Sequence, residues 1–169
     1  HAAGRNSRKL LFTAGPTSLL AENLTGLRPC FGRGDADYAQ VEEQVLGAIK
    51  ALTGHAHIAR LQGSASLALE IMALNFLQGR VLVVSTGYYS DRLAWLAESA
   101  RRRTGAVTEV VQAGWRELDA VAGRFDWVVA CYVATSCGRK VPIAALSGLA
   151  RRLGARRMLA ATASSGLAP

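Results

Sequence analysis

Strand-length apolar runs alternate with helix-period segments along most of this 169-residue chain, and that alternation restricts it to one broad fold class. A helix is expected over 38–53, capped by Asp37, with Val41, Val45, Ala48, Ile49 and Leu52 on its apolar face and Gly54 as its stop. A short strand is expected over 58–62. Ser64 caps a helix that runs to Leu77, with Gly79 as its stop. The β-branched run 80–85 reads as a strand. A helix then starts at Ser90 or Asp91, with Leu93, Leu96 and Ala97 on one face. Further strands are expected over 106–111, 126–132 and 157–161. Between them lie a short helix over 115–122 and a longer one from Pro142 to Leu153, where proline suits the first turn.

Strands separated by helices imply an α/β fold, with a mostly parallel sheet covered by helices on both faces. Residues 1–36 are irregular and punctuated by Gly and Pro, so they read as an N-terminal arm to a region over 37–169. The final expected strand leaves a sheet edge open. Natural sheets normally cover such edges, so a partner chain or further sequence is expected there.

Composition removes several classes of function. Half of the residues are hydrophobic, enough for a sizeable core, yet no uncharged apolar run approaches the ~20 residues of a membrane span. The opening residues lack the apolar centre of a secretory signal. Three cysteines, Cys30, Cys131 and Cys137, form no CxxC pair, which argues for reduced thiols and a cytoplasmic setting. The formal charge is +8, but its arginines cluster at expected helix ends, as in Arg101-Arg102-Arg103 before Gly105 and Arg151-Arg152 before Gly154. Cations there complement the helix dipole. With no aromatic-rich basic stripe, the charge reads as a solvated face rather than a nucleic-acid surface.

Three short segments carry chemistry. Gly63-Ser64-Ala65-Ser66 opens a helix with small residues, so backbone N–H groups there can approach an anion at the positive end of the helix dipole. Its bland alternative is an ordinary capped helix. Neither a Walker A pattern nor a GxGxxG is present, which withdraws specific support for nucleoside triphosphates and dinucleotides. Thr86-Gly87-Tyr88-Tyr89-Ser90-Asp91 follows a strand, where open α/β sheets bind ligands. Tyr132-Val133-Ala134-Thr135-Ser136-Cys137-Gly138 follows another strand and brings hydroxyls toward the same crevice. Cys137 has no obvious histidine partner to make it a nucleophile. His55 and His57 would share a strand face, but two histidines without a third ligand predict no metal site.

Together these segments resemble the class V aminotransferases, fold type I pyridoxal-phosphate enzymes of the alanine–glyoxylate and aminoethylphosphonate transaminase type. The resemblance covers the family's N-terminal half and runs over 11–167. Thr13-Ala14-Gly15-Pro16-Thr17 resembles the family's Gly-Pro opening segment. Gly63-Ser64-Ala65-Ser66 with Ala68-Leu69-Glu70 resembles its cofactor-phosphate turn, with Ala65 where glycine is usual. Gly87-Tyr88-Tyr89 lies where the family stacks an aromatic on the pyridine ring. Thr135-Ser136-Cys137-Gly138 is similar to the family's Thr-Ser-Thr-Gly, and 161–166 is similar to the stretch after its ring-nitrogen aspartate.

The resemblance implies a partial large domain that lacks its C-terminal part, and pyridoxal 5'-phosphate as cofactor. It implies Ser64, Ala65 and Ser66 on the phosphate, Tyr89 on the ring and Thr135 on the ring's oxygen substituent. It implies amino-group transfer between an amino acid and a 2-oxo acid by a homodimer, or with a complementing partner chain. This sequence departs from the pattern in two places. Ala160 stands where the family has its aspartate, and Ala134 where an acidic residue is usual. Lys9, Lys50 and Lys140 lie outside the context of the Schiff-base lysine. No catalytic residue is therefore assigned, and the chain is expected to be inactive alone. The rival reading is a non-catalytic binding or scaffold module that retains the transaminase fold.

Overall fold

The computed structural model describes residues 22–23, 31–162 and 164. The expected Gly-Pro segment and Cys30 lie outside them. The chain divides into two compact units, between Arg60 and Leu61.

In the first unit, α1 spans Ala36–Thr53. It starts earlier than expected because Asp35 is the cap. The Asp35 backbone is extended, and its carboxylate accepts from the Asp37 amide at 2.9 Å. Asp37 falls in the first turn, where its charge suits the dipole. Gly54 ends the helix in the left-handed region, at φ 68°. The expected strand over 58–62 does not form, and those residues are irregular. Arg60 there pairs with Glu42 and donates to the Tyr38 hydroxyl at 3.0 Å. A short apolar run becomes a strand only where a neighbour supplies a ladder. The apolar stripe of α1 is as the period predicts, but none of its residues is buried.

The second unit is a three-layer sandwich. Its elements are α2 (Ala65–Phe76), β1 (Gly79–Ser85), α3 (Tyr88–Thr104), β2 (Val107–Gly114), a 3-10 turn (Leu118–Ala120), β3 (Trp127–Cys131), β4 (Val133–Ala134), β5 (Arg139–Lys140), α4 (Ile143–Leu153) and β6 (Arg156–Ala160). The main sheet has the order β2-β1-β3-β6, and every described pairing in it is parallel. Strands β4 and β5 form a small antiparallel hairpin. Among the described residues β6 pairs on one side only.

Alternation along β1 sorts the core. Val81 and Val83 face α2 and α3, in a cluster with Ala73, Leu77, Leu93, Leu96, Ala97 and Val129. Leu82 and Val84 face the other way, against Phe125, Val128, Leu146, Leu149 and Leu153. The sheet is thus buried on both faces, as a parallel sheet requires.

Three boundaries differ from expectation for identifiable reasons. Helix α2 ends at Phe76, because Leu77 turns extended and buries itself, and Gly79 opens β1 instead. Helix α3 starts at Tyr88, two residues early, because Gly87 caps it and Ser90 folds its hydroxyl back onto the turn. The helix expected over 115–122 shrinks to one 3-10 turn. There Glu117 turns back to accept from the Gly114 amide at 3.1 Å. The Arg152 guanidinium donates to the Leu118 and Val121 carbonyls, both at 2.6 Å.

Several other arginines of the basic surface are engaged. Arg103 pairs with Glu70 at 2.8 Å, tying α3 to α2. Arg80 pairs with Glu109 at 2.5 Å and lies 4.3 Å over the Phe125 ring.

Candidate functional site

The order of the sheet creates the site. The crossover from β1 runs through α3 to β2 on one side, while the chain from β2 returns to β3 on the other side of β1. The C-terminal ends of β1 and β3 therefore flank a topological switch point, the usual ligand crevice of an open α/β sheet. Residues 86–89 and the β4–β5 hairpin leave the sheet from this edge.

The two loops meet. A Cβ built on Gly87 would stand 2.9 Å from Ser136 Oγ and 3.5 Å from Cys137 Sγ, and the Gly87 φ of +142° independently disfavours a side chain. The Cys137 thiol donates to the Thr86 carbonyl at 2.9 Å, with a longer contact to the Ala134 carbonyl at 3.7 Å. On the first loop, the Ser90 hydroxyl accepts from the Thr86 amide at 2.8 Å and the Gly87 amide at 3.0 Å, and donates to the Gly87 carbonyl at 2.5 Å. One group is left over. Thr86 is 5% exposed, and its hydroxyl has no hydrogen-bond partner among the described residues. A buried unpartnered hydroxyl is costly unless something polar meets it.

Tyr89 is 46% exposed and packs edge-on against Tyr88, with ring centroids 5.2 Å apart. It sits on the first turn of α3. Thr135 is half-buried in the turn between β4 and β5, next to the buried Ala134. Tyr89 and Thr135 thus belong to loops in direct contact.

The third segment opens α2. Ser64 caps that helix, its hydroxyl accepting from the Leu67 amide at 3.2 Å. Among the described residues nothing accepts from the Ala65 and Ser66 amides, which is the normal state of a first turn open to an anion. Gly63 has φ +150°, and a Cβ there would press on the Leu67 side chain at 2.7 Å. Only two residues join α2 to β1, and Ala73 of α2 lies in the core cluster that also holds Val81, Val83 and residues of α3. All three predicted segments lie in the second unit, and two of them, at 86–87 and 136–137, touch.

His55 donates to or accepts from its own loop, with Nδ1 3.0 Å from the Thr53 carbonyl. Among the described residues no group of three or more His, Cys, Asp or Glu side chains could hold a metal ion. Cys131 is buried on β3, and burial pushes its thiol up to about 11. Among the described residues no helix is long and apolar enough to cross a membrane.

Residue spacing does not assign roles to two groups at this edge, Thr86 and Ser90. The Thr86 hydroxyl and the Ser90 stitch depend on how the turn folds, and their one visible signal was the run of small polar residues after the strand.

Solved structures that share this fold include three aminotransferases. Pyridoxamine-pyruvate aminotransferase from Mesorhizobium loti matches with a TM-score of 0.76 at 22% identity, over 90% of this chain and 41% of that one. Ureidoglycine-glyoxylate aminotransferase from Bacillus subtilis matches with a TM-score of 0.71 at 18% identity, over 95% and 45%. Alanine–glyoxylate aminotransferase from Nostoc sp. matches with a TM-score of 0.73 at 16% identity, over 98% and 48%. No protein-family model matches the sequence, and no curated protein matches it.

The chain shares the fold of these three aminotransferases. This chain spans under half the length of each of the three. A shared fold at such identities establishes architecture and leaves activity to the site.

Proposed function

We propose that this chain binds pyridoxal 5'-phosphate in the crevice at the C-terminal ends of β1 and β3 and serves amino-group transfer between an amino acid and a 2-oxo acid. The observation that carries the reading is the direct contact between the Thr86–Tyr89 loop and the Thr135–Gly138 turn at the switch point, with the Thr86 hydroxyl buried and unpartnered beside it. A crevice that leaves one polar group unsatisfied beside an exposed aromatic, in a unit that also holds a helix N-terminus with free amides, fits a small aromatic ring bearing a phosphate.

The residues divide the work. The Ala65 and Ser66 amides, set by the Ser64 cap, hold the phosphate at the positive end of α2. Tyr89 covers one face of the ring. Thr135 hydrogen-bonds the ring's oxygen substituent. When bound, pyridoxal phosphate supplies an electron sink for charge that develops at the substrate's α-carbon. Alanine at 134 and 160 offers no carboxylate to keep the ring nitrogen protonated, so the described residues bind and orient but do not complete the reaction. The groups that complete the reaction come from outside this stretch of sequence, with a homodimer or a complementing chain as the assembly, in the cytoplasm.

Titration of the 169-residue chain with pyridoxal 5'-phosphate, followed by protein fluorescence, tests the reading. Saturable binding is expected, with pyridoxal lacking the phosphate at least about tenfold weaker, the equivalent of ~1.4 kcal/mol. Absence of binding to either compound would leave the scaffold reading in its place.

A further inference from the structure

We propose that Cys137 is a positioning residue that locks the loop carrying Thr135 to the loop carrying Tyr89, and so sets how tightly the crevice holds a pyridine ring. The inference rests on the cofactor reading above. Its support lies in the contacts. The Cys137 thiol donates to the Thr86 carbonyl at 2.9 Å, across 51 residues of sequence. It is the hydrogen bond that the described residues make between these two loops. Gly87, pressed by Ser136 Oγ and Cys137 Sγ, lets the backbones come close enough for that bond. The Ser90 hydroxyl then holds the Thr86 and Gly87 amides, so a shift at the thiol passes directly to the first turn of α3, where Tyr89 sits.

The phosphate end is independent of this junction. Ser64 caps α2 and Ala65 and Ser66 open it, and among the described residues α2 contributes none of the hydrogen bonds of the Cys137 thiol. Loss of the thiol should therefore weaken recognition of the ring and leave recognition of the phosphate unchanged. The role needs a donor at this position rather than sulfur chemistry, so serine should replace it.

The test compares Cys137→Ala and Cys137→Ser with the unaltered chain in three measurements: affinity for pyridoxal 5'-phosphate, affinity for inorganic phosphate, and amide hydrogen exchange over residues 86–90 without ligand. Removing one net hydrogen bond predicts that Cys137→Ala weakens pyridoxal phosphate about three- to tenfold. Inorganic phosphate should bind equally to all three proteins, and Cys137→Ser should stay within about twofold of the unaltered chain. Exchange at 86–90 should quicken in Cys137→Ala and be restored in Cys137→Ser. Unchanged exchange in Cys137→Ala overturns the junction. So does equal weakening of both ligands, which would mark a general loss of structure. If the unaltered chain binds no pyridoxal phosphate while exchange responds as described, the cofactor reading fails, and with it the link to ring affinity.

Discussion

The Asp126 carboxylate accepts from the Arg80 amide at 2.8 Å, and the Asp126 amide donates to the Arg80 carbonyl at 2.8 Å. This reciprocal pair closes the start of β1 against β3. Gly79 lies beside it with φ +65°, and a Cβ there would collide with the same carboxylate. Gly79→Ala is expected to destabilise the fold by about 2–3 kcal/mol, from left-handed backbone strain plus the clash. Asp126→Ala should cost about 1 kcal/mol, one exposed hydrogen bond. The double variant should be more stable than the sum of the singles, because removing the carboxylate relieves the collision. Urea unfolding of the four proteins measures the coupling, and simple additivity would refute it.

Arginine at 152 does a different job from its neighbour at 151. Arg152 holds two carbonyls of the segment 118–121, whereas Arg151 is exposed at the end of α4. Arg152→Ala is expected to lose about 1–2 kcal/mol of stability, and Arg151→Ala less than about 0.5 kcal/mol. Denaturation midpoints distinguish them. Equal effects would mean that the two cations act only on the helix dipole.

At the anion cradle, stability and binding should move in opposite directions. An acidic side chain in the first turn of a helix is favourable by about 0.3–1 kcal/mol, but it repels a phosphate. Ala65→Asp should therefore leave the melting temperature unchanged or higher while weakening pyridoxal 5'-phosphate by more than about tenfold. Parallel thermal melts and ligand titrations check both signs. Retained affinity would remove the phosphate from this helix.

If Tyr89 covers a ring, the aromatic face matters more than its hydroxyl. Tyr89→Phe should bind pyridoxal phosphate within about twofold of the unaltered chain, and Tyr89→Ala about three- to tenfold more weakly, as expected for one aromatic pair. Inorganic phosphate should not distinguish them. A loss shared by Phe and Ala would point to the hydroxyl instead.

The buried Cys131 thiol adds an alkaline limit. Its folded pKa is raised to about 11 because burial disfavours the thiolate. Its contribution to stability is then intact below the ordinary thiol range and is lost as pH rises through that value. Stability curves of the unaltered chain and of Cys131→Ala, recorded across this window, should differ in slope, with the variant flatter. Identical slopes would show that Cys131 does not control alkaline unfolding.

Much of this was readable from residue pattern. The β-branched run of β1 and the glycines that close α1, α3 and α4 each name one local conformation. So does the Ser64 cap. Where pattern failed, a contact distant in sequence decided. Residues 58–62 had strand composition but no neighbouring ladder. The start of α3 depends on a glycine at φ +142° and on a serine hydroxyl folded back onto its own turn. The junction of Thr86 with Cys137 joins loops 51 residues apart, and no local period encodes such a meeting. The expected site was therefore legible as three separate segments, while the meeting of two of them came from the order of the strands.

That order also sets a timetable for synthesis. Of the described strands, β2 follows β1 from the ribosome and takes one flank of it, but the opposite flank lacks its described partner until Trp127 and its neighbours emerge. For that interval Val81, Leu82, Val83 and Val84 form an unguarded ribbon on a nascent polypeptide, and early interruption of translation would release a sticky fragment rather than a half-built sandwich.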